Sequence, residues 1–302
     1  MSIETQKMKT KKTCVVTGAN SGIGKALSLA LAEYGARVIM VCRDRFRGER
    51  AMTEVMEKTG NPNVDLFIID LSSQTAIRKG VHGLKEKYDK INVLINNAGV
   101  LLFKKEQTED GIETTLAVNY LGPFLLTNLL LELLVASGAG RIINVVSEGI
   151  PQERFDVTQL TSDKKYKPVL SYSQSKQAEI LFTYHLADRL KGKIVTSNCF
   201  YPGLVKTNLG NPEKGFRKIT HGIVTMVLRP LFTPLEESVK IGVFLALSKK
   251  AEELNGKFLK RQKDKVTIQS AYDREMSRKL WELSEKLTGL IGESVRQSKR
   301  TH

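Results

Sequence analysis

Tyr172 and Lys176 stand four residues apart in the run Tyr172-Ser173-Gln174-Ser175-Lys176. In a helix that spacing puts a phenol and an ammonium on one face. A phenol is a poor acid or base at neutral pH, because its ordinary pKa is about 10. An ammonium beside it favours the phenolate and brings its proton within reach of chemistry near neutrality. The pair is therefore a candidate for moving a proton to or from an oxygen. Such spacing also arises by chance on amphipathic helices, so the pair needs company before it means a site.

Part of that company lies near the start of the chain, in Thr17-Gly18-Ala19-Asn20-Ser21-Gly22-Ile23-Gly24. Gly18, Gly22 and Gly24 allow a tight turn, and with Asn20, Ser21 and Ile23 they let backbone N–H groups approach a phosphate at a helix N-terminus. The spacing is Gly-x-x-x-Gly-x-Gly, not the more familiar Gly-x-Gly-x-x-Gly. A plain turn with a capped helix is the bland reading. The position between a first strand and a first helix favours a dinucleotide. The next apolar run ends at Val41-Cys42-Arg43-Asp44, followed by Arg45 and Arg47. A guanidinium fork suits a phosphate dianion, so NADP is expected over NAD, with Arg43 and Arg47 as its partners. Asp44 offers the alternative, an acceptor for a ribose hydroxyl, and Arg45 reads equally well as surface charge.

These residues must be positioned by a scaffold, and the hydropathy pattern describes one. Apolar runs at Thr13–Thr17, Arg37–Cys42, Val64–Ile69, Val93–Ile95, Arg141–Val146 and Ile194–Phe200 read as buried strands. Between them come stretches with 3.6-residue apolar spacing, such as Ile23–Tyr34 and Ala178–Leu190. Strand–helix alternation predicts an α/β fold: a single Rossmann-type, doubly wound, mostly parallel sheet with helices on both faces. The turn Pro202-Gly203 ends this regularity. An apolar, basic excursion over about 204–234 follows, with Ile219, Ile223, Val224, Val227 and Leu228 at helix-like spacing, and covers the substrate side. The chain returns through a helix around Leu235–Ser248, a short strand at Phe258-Leu259 and an amphipathic helix over Tyr272–Leu287 that carries Trp281. Residues 13–290 are expected to form one catalytic domain between basic tails at 1–12 and 291–302.

Taken together, the motifs resemble the short-chain dehydrogenase/reductase family. The matches come in the family's order: the glycine turn, Asn96-Asn97-Ala98-Gly99 after the fourth strand, Ser147 after the fifth, then Tyr172 with Lys176. Asn119, in Ala117-Val118-Asn119-Tyr120, matches the fourth catalytic position. The chain is similar in particular to the retinol dehydrogenase-like branch, through Gly18–Lys25, Cys42-Arg43-Asp44, Asp70-Leu71-Ser72, Leu280-Trp281 and Leu287-Thr288-Gly289. Where that branch commonly has paired serines, this chain reads Val146-Ser147-Glu148-Gly149, and no amino-terminal membrane anchor is visible.

The resemblance implies hydride transfer between a nicotinamide cofactor and a carbonyl or alcohol. Tyr172 would act as the acid in reduction, Ser147 would bond the substrate oxygen, and Lys176 would tune Tyr172 and hold ribose. Asn119 would retain a water linking Lys176 to solvent. Asp70 and Leu71 would line the adenine pocket, Asn97, Ala98 and Gly99 would border the cofactor, and Pro202, Gly203 and Thr207 would contact its nicotinamide end. Each position has a plainer reading: Ser147 as a strand-end cap, Asn119 bonding its own helix, Asp70 capping before Ser72. A non-catalytic NADP-sensing scaffold is the alternative to an enzyme.

Composition bounds the rest. The chain has 302 residues, with 41% hydrophobic and 26% charged side chains, ordinary for a water-soluble protein. Cys14, Cys42, Cys199 and the four histidines are scattered, so neither disulfides nor a metal site are expected. Leu121–Ala136, the most apolar stretch, falls short of the roughly 20 residues of a membrane span. A cytoplasmic location is expected. Residues 1–150 carry 19 basic and 16 acidic side chains and residues 151–302 carry 28 and 16, so the excess charge sits in the second half. No recognition motif accompanies that charge, and nucleic acid is not expected as a partner. The expected partner is a small apolar carbonyl or alcohol; peripheral membrane contact through Leu204–Phe232 is compatible with this, and so is pairing with a second copy.

Overall fold

The computed structural model describes residues 10–147, 155–162, 165–203, 205, 233–261, 264–265 and 273–290. The apolar runs become β1 (Thr13–Thr17), β2 (Arg37–Cys42), β3 (Val64–Ile68), β4 (Val93–Asn96), β5 (Gly140–Val145) and β6 (Val195–Phe200). All six are parallel, and β7 (Phe258–Arg261) extends them beside β6. A two-residue strand, β8 (Asp264–Lys265), turns back antiparallel on β7; it is too short to leave a periodic signal in the sequence. The order is β3-β2-β1-β4-β5-β6-β7-β8.

Helices cover both faces because strand side chains alternate between them. Val15, Ile39, Leu94 and Ile142 point to one side, where α3 (Gln74–Lys87), α5 (Gly122–Ala136) and α6 (Pro168–Arg189) bury them. Cys14, Val16, Val38 and Met40 point to the other and meet α1 (Gly22–Glu33), α2 (Arg45–Thr59) and α7 (Leu235–Leu247). Burial on both sides is why the strands read as continuous apolar runs.

A short α4 (Thr114–Leu116) passes through a π segment (Ala117–Leu121) into α5. Together they make a 23-residue helical run, Thr114–Ala136, that meets the length and composition of a membrane span. Leu121–Ala136 by itself is shorter than a span, and the two helical turns before it supply the remaining length. The apolar window of this run is 72% buried inside the protein. The carboxy-terminal helix is α8 (Arg274–Thr288), capped by Asp273 and ended by left-handed Gly289. Thr10 donates its N–H to Tyr34 O (2.8 Å) and Lys12 O accepts from Arg37 N (3.0 Å), so residues 10–12 are tied to the sheet. Residues 1–9, 206–232 (with Thr207 and the apolar positions of the excursion) and 291–302 lie outside the described residues.

Candidate active site

Strand order reverses between β1 and β4, whose connections leave in opposite directions from their carboxyl ends and open a crevice there. The glycine turn fills its floor. Gly18 has φ +64°, and a Cβ on it would stand 2.9 Å from Ala98 Cα, so a side chain would push the β1 turn off the loop after β4. A Cβ on Gly24 would strike the Gly18 carbonyl oxygen and the Asn97 amide. Gly24 therefore lets α1 start close against the turn. Ser21, the N-cap of α1, makes no side-chain cap bond, which leaves the first N–H groups of that helix available to an anion.

Thr17 locks this floor in place. Its buried hydroxyl accepts the N–H groups of Asn97 (2.9 Å) and Ala98 (3.0 Å), and Asn97 Nδ2 donates to Thr17 O (2.8 Å). Sequence reasoning passed over Thr17 because a threonine at a strand end is unremarkable by type. At the end of β2, Asp44 Oδ1 accepts from Arg47 N (2.7 Å) and caps α2, and Arg45 pairs with Glu49. The Arg43 and Arg47 side chains have no partner among the described residues, and both line the crevice, with Asp44 between them.

The crevice encloses about 410 Å³. Its wall brings together Gly18, Asn20, Ser21, Gly22, Ile23, Arg43, Arg47, Asp70, Leu71, Asn97, Ala98, Gly99, Tyr172, Lys176 and Pro202. Val145 and Val146 complete it at the end of β5. Ser147, the next residue, is half-buried and not part of the lining. Gly24 lies beneath the wall and Gly203, at φ +84°, packs on Thr233. Asp70 Oδ1 accepts from Ser72 N (2.9 Å) and Oγ (2.7 Å), so the capping role and the lining role coexist. A larger hollow of about 790 Å³ opens on another face of α6, at Leu170, Ser171 and Gln174, and contains none of the expected site residues.

α6 presents Tyr172 half-buried and Lys176 buried, one turn apart as the spacing required. Lys176 Nζ donates to Val145 O (2.9 Å) and to Glu179 Oε2 (2.8 Å). Glu179 is fully buried, and no sequence pattern distinguishes a buried acid on a helix that mixes polar and apolar residues on its buried face. Burial pushes its carboxyl up to about 7, against the opposing pull of Lys176. Burial alone would lower Lys176; the negative charge of Glu179, helped by Tyr172, holds it above its ordinary value.

Asn119 lies in the π segment. Its Oδ1 accepts from Val100 N (2.7 Å), and its Nδ2 donates to Val100 O (2.9 Å) and Ser175 Oγ (3.0 Å). The amide thus fastens the loop after β4 to α6, bonding neither its own helix nor Lys176.

A dinucleotide needs a cradle that admits backbone-bound phosphates. Left-handed glycines, an uncapped helix start, two unpaired guanidinium groups and an open crevice at the switch point fit one.

Comparison with known proteins agrees. A mouse protein, retinol dehydrogenase 14, is 38% identical over 299 residues, covering 93% of this chain and 86% of its own length. Human retinol dehydrogenase 13 is 39% identical over 291 residues, covering 95% and 87%. Among solved structures, an uncharacterized protein from Mycobacterium paratuberculosis matches with a TM-score of 0.73 and 31% identity, over 93% of this chain and 94% of that one. L-Sorbose reductase from Gluconobacter frateurii, solved with NADPH and L-sorbose, has a TM-score of 0.67 at 24% identity, over 84% and 96%, a likeness of fold. A family model for short chain dehydrogenases matches residues 12–217, which takes in the glycine turn, Asn119, Tyr172 and Lys176 together. The chain belongs to the short-chain dehydrogenase family of oxidoreductases, which act on alcohol and carbonyl groups.

Proposed function

We propose that the protein is an NADP-dependent oxidoreductase that interconverts the carbonyl and alcohol forms of a small apolar substrate, with residues 13–290 working as one catalytic unit. The observation that carries this reading is that Tyr172 and Lys176 share one crevice with the glycine turn, Arg43 and Arg47. NADP is favoured over NAD because Asp44 already caps α2 and Arg45 turns to Glu49, while Arg43 and Arg47 keep free guanidinium forks at the crevice wall. Gly18 to Ile23 would hold the pyrophosphate, Asp70 and Leu71 the adenine, and Asn97 to Gly99, Lys176, Pro202, Gly203 and Thr207 the nicotinamide half. When bound, the nicotinamide supplies or accepts the hydride.

The protein's own share is proton transfer and alignment. In reduction the Tyr172 phenol gives its proton to the substrate oxygen, and the Ser147 hydroxyl donates a second hydrogen bond to that atom. Donors placed where negative charge develops stabilise the transition state more than the ground state. Lys176 supplies the positive charge that makes the phenol effective. Asn119 fixes the loop that borders both.

Purified protein should reduce members of a panel of retinal, steroid ketones, fatty aldehydes and quinones faster with NADPH than with NADH. Retinal heads the panel because the relatives are named retinol dehydrogenases. Tight NADPH binding with no turnover on any member would replace this reading with a cofactor-sensing scaffold. We place the protein in the cytoplasm, with residues 204–232 as the segment that meets a membrane surface if one is met.

A further inference from the structure

We propose that Glu179 is a positioning residue: it is the buried counter-ion that keeps Lys176 protonated and drawn back against the end of β5, so that the ammonium serves Tyr172 over the whole alkaline range. This rests on the catalytic reading of Tyr172 and Lys176 given above.

The geometry is specific. Lys176 is 4% exposed and Glu179 is 0% exposed, so neither charge is solvated by water. Of the three ammonium protons, one goes to Val145 O and one to Glu179 Oε2, which leaves one for the crevice. Those two anchors fix where the ammonium sits and the direction of its remaining proton. Among the described residues Glu179 has no other side-chain hydrogen bond: its Oε1 is buried without a partner there.

An ion pair in this setting is a poor way to stabilise a fold, since apolar residues of similar volume do as well or better. Its effect on Lys176 is a different matter. A buried lysine without a counter-ion sheds its proton well below the ordinary value. Lys176 is held above that value because the carboxylate stands beside it. The other titratable groups facing Glu179 are Tyr120 from the π segment and Cys199 from β6, and burial pushes both up, so they stay neutral and Lys176 is the charge it answers. The α6 phenol Tyr172 faces Lys176 from the crevice side.

The test compares the wild type with Glu179→Gln and Glu179→Asp. Trace acetylation of Lys176 across pH, read by mass spectrometry in the absence of cofactor, measures the protonation of that amine directly. In the wild type its midpoint should lie above that of exposed lysines; in Glu179→Gln it should fall by about one pH unit or more, below them. In parallel, the ratio of kcat/KM at about pH 10 to that at about pH 7.5 should drop about tenfold in Glu179→Gln. NADPH affinity by calorimetry should weaken over the same range. Glu179→Asp, which keeps the charge, should recover most of both.

A folded Glu179→Gln protein with an unmoved Lys176 midpoint overturns the proposal. If neither variant folds, a wild-type midpoint below that of exposed lysines overturns it, and one above supports it. Failure of the catalytic reading looks different: Tyr172→Phe would then keep its turnover while the Lys176 midpoints still separate.

Discussion

At the scale of residues, the proposed preference for NADP rests on the end of β2. Asp44 could serve a ribose hydroxyl by type, but its Oδ1 caps α2 at 2.7 Å from Arg47 N, and the unpaired cations at the crevice are Arg43 and Arg47. Charge-assisted bonds to phosphate are worth about 1.5–3 kcal/mol, so Arg43→Ala should weaken NADPH binding about 10- to 100-fold. NADH binding should change little, and fluorescence titration of both reads the difference. Tyr172→Phe should lower kcat about 10²- to 10⁴-fold while NADPH affinity stays near that of the wild type, as expected for loss of a positioned acid.

Glu179 also has a signature in stability. Its carboxyl is raised from an ordinary 4.5 to about 7 in the folded protein, so between those values the folded state binds more protons than the unfolded state. Stability should therefore fall as pH rises through that window, and this contribution should be missing in Glu179→Gln. Thermal melts of the two proteins from about pH 4.5 to about pH 7 test the sign. The chemistry of Tyr172 and Lys176 was legible because it lies in residue types and spacing. The ion pair was not, because Glu179 lies between Ala178 and Ile180 on a helix that buries polar residues such as Ser175 and Thr183 beside apolar ones, and only packing shows which way it points.

Among elements, the strands were legible nearly to the residue, since a doubly buried parallel strand must be apolar throughout and is bounded by turns. The π segment was not. Ala117–Leu121 carries no breaker, and its extra residue per turn is set by contacts from elsewhere: Asn119 to Val100 and Ser175, Tyr120 to Ser284. The last helix was visible as an amphipathic run, yet its partners were not. Trp281 stacks on Phe182 at 6.0 Å and meets Phe124 edge-on at 4.9 Å, while the Arg189 guanidinium lies 4.5 Å over its ring. Gln74 Nε2 and Arg78 NH2 bond the carbonyls of Leu287 and Thr288 at 2.9 and 2.7 Å. Trp281→Ala should cost about 3–5 kcal/mol of stability in denaturant melts. Trp281→Phe should cost much less, because it keeps an aromatic ring and removes an indole N–H that has no partner among the described residues.

At the scale of the whole molecule, the sheet order and the charge act together. The reversal between β1 and β4 decides where the crevice lies whatever the loops contain; strand–helix alternation conveyed the parallel, doubly wound sheet, and the strand order came only with the fold. The formal charge of +15 was equally plain, but a partner for it cannot be read from a sum. If the basic second half meets an anionic lipid surface, co-sedimentation with vesicles containing phosphatidylserine should be strong at about 50 mM salt and largely lost at about 500 mM. Binding to neutral vesicles that is indifferent to salt would instead point to apolar contact.

The Tyr120–Ser284 bond joins positions 164 residues apart, and it has a consequence for biosynthesis. The turn that carries Asn119 leaves the ribosome well before its brace, which is made 164 residues later. A nascent polypeptide stalled before residue 274 should already capture a nicotinamide cofactor on its completed glycine turn, yet reduce substrate slowly, because the helix Arg274–Thr288 that braces Tyr120 is not yet made.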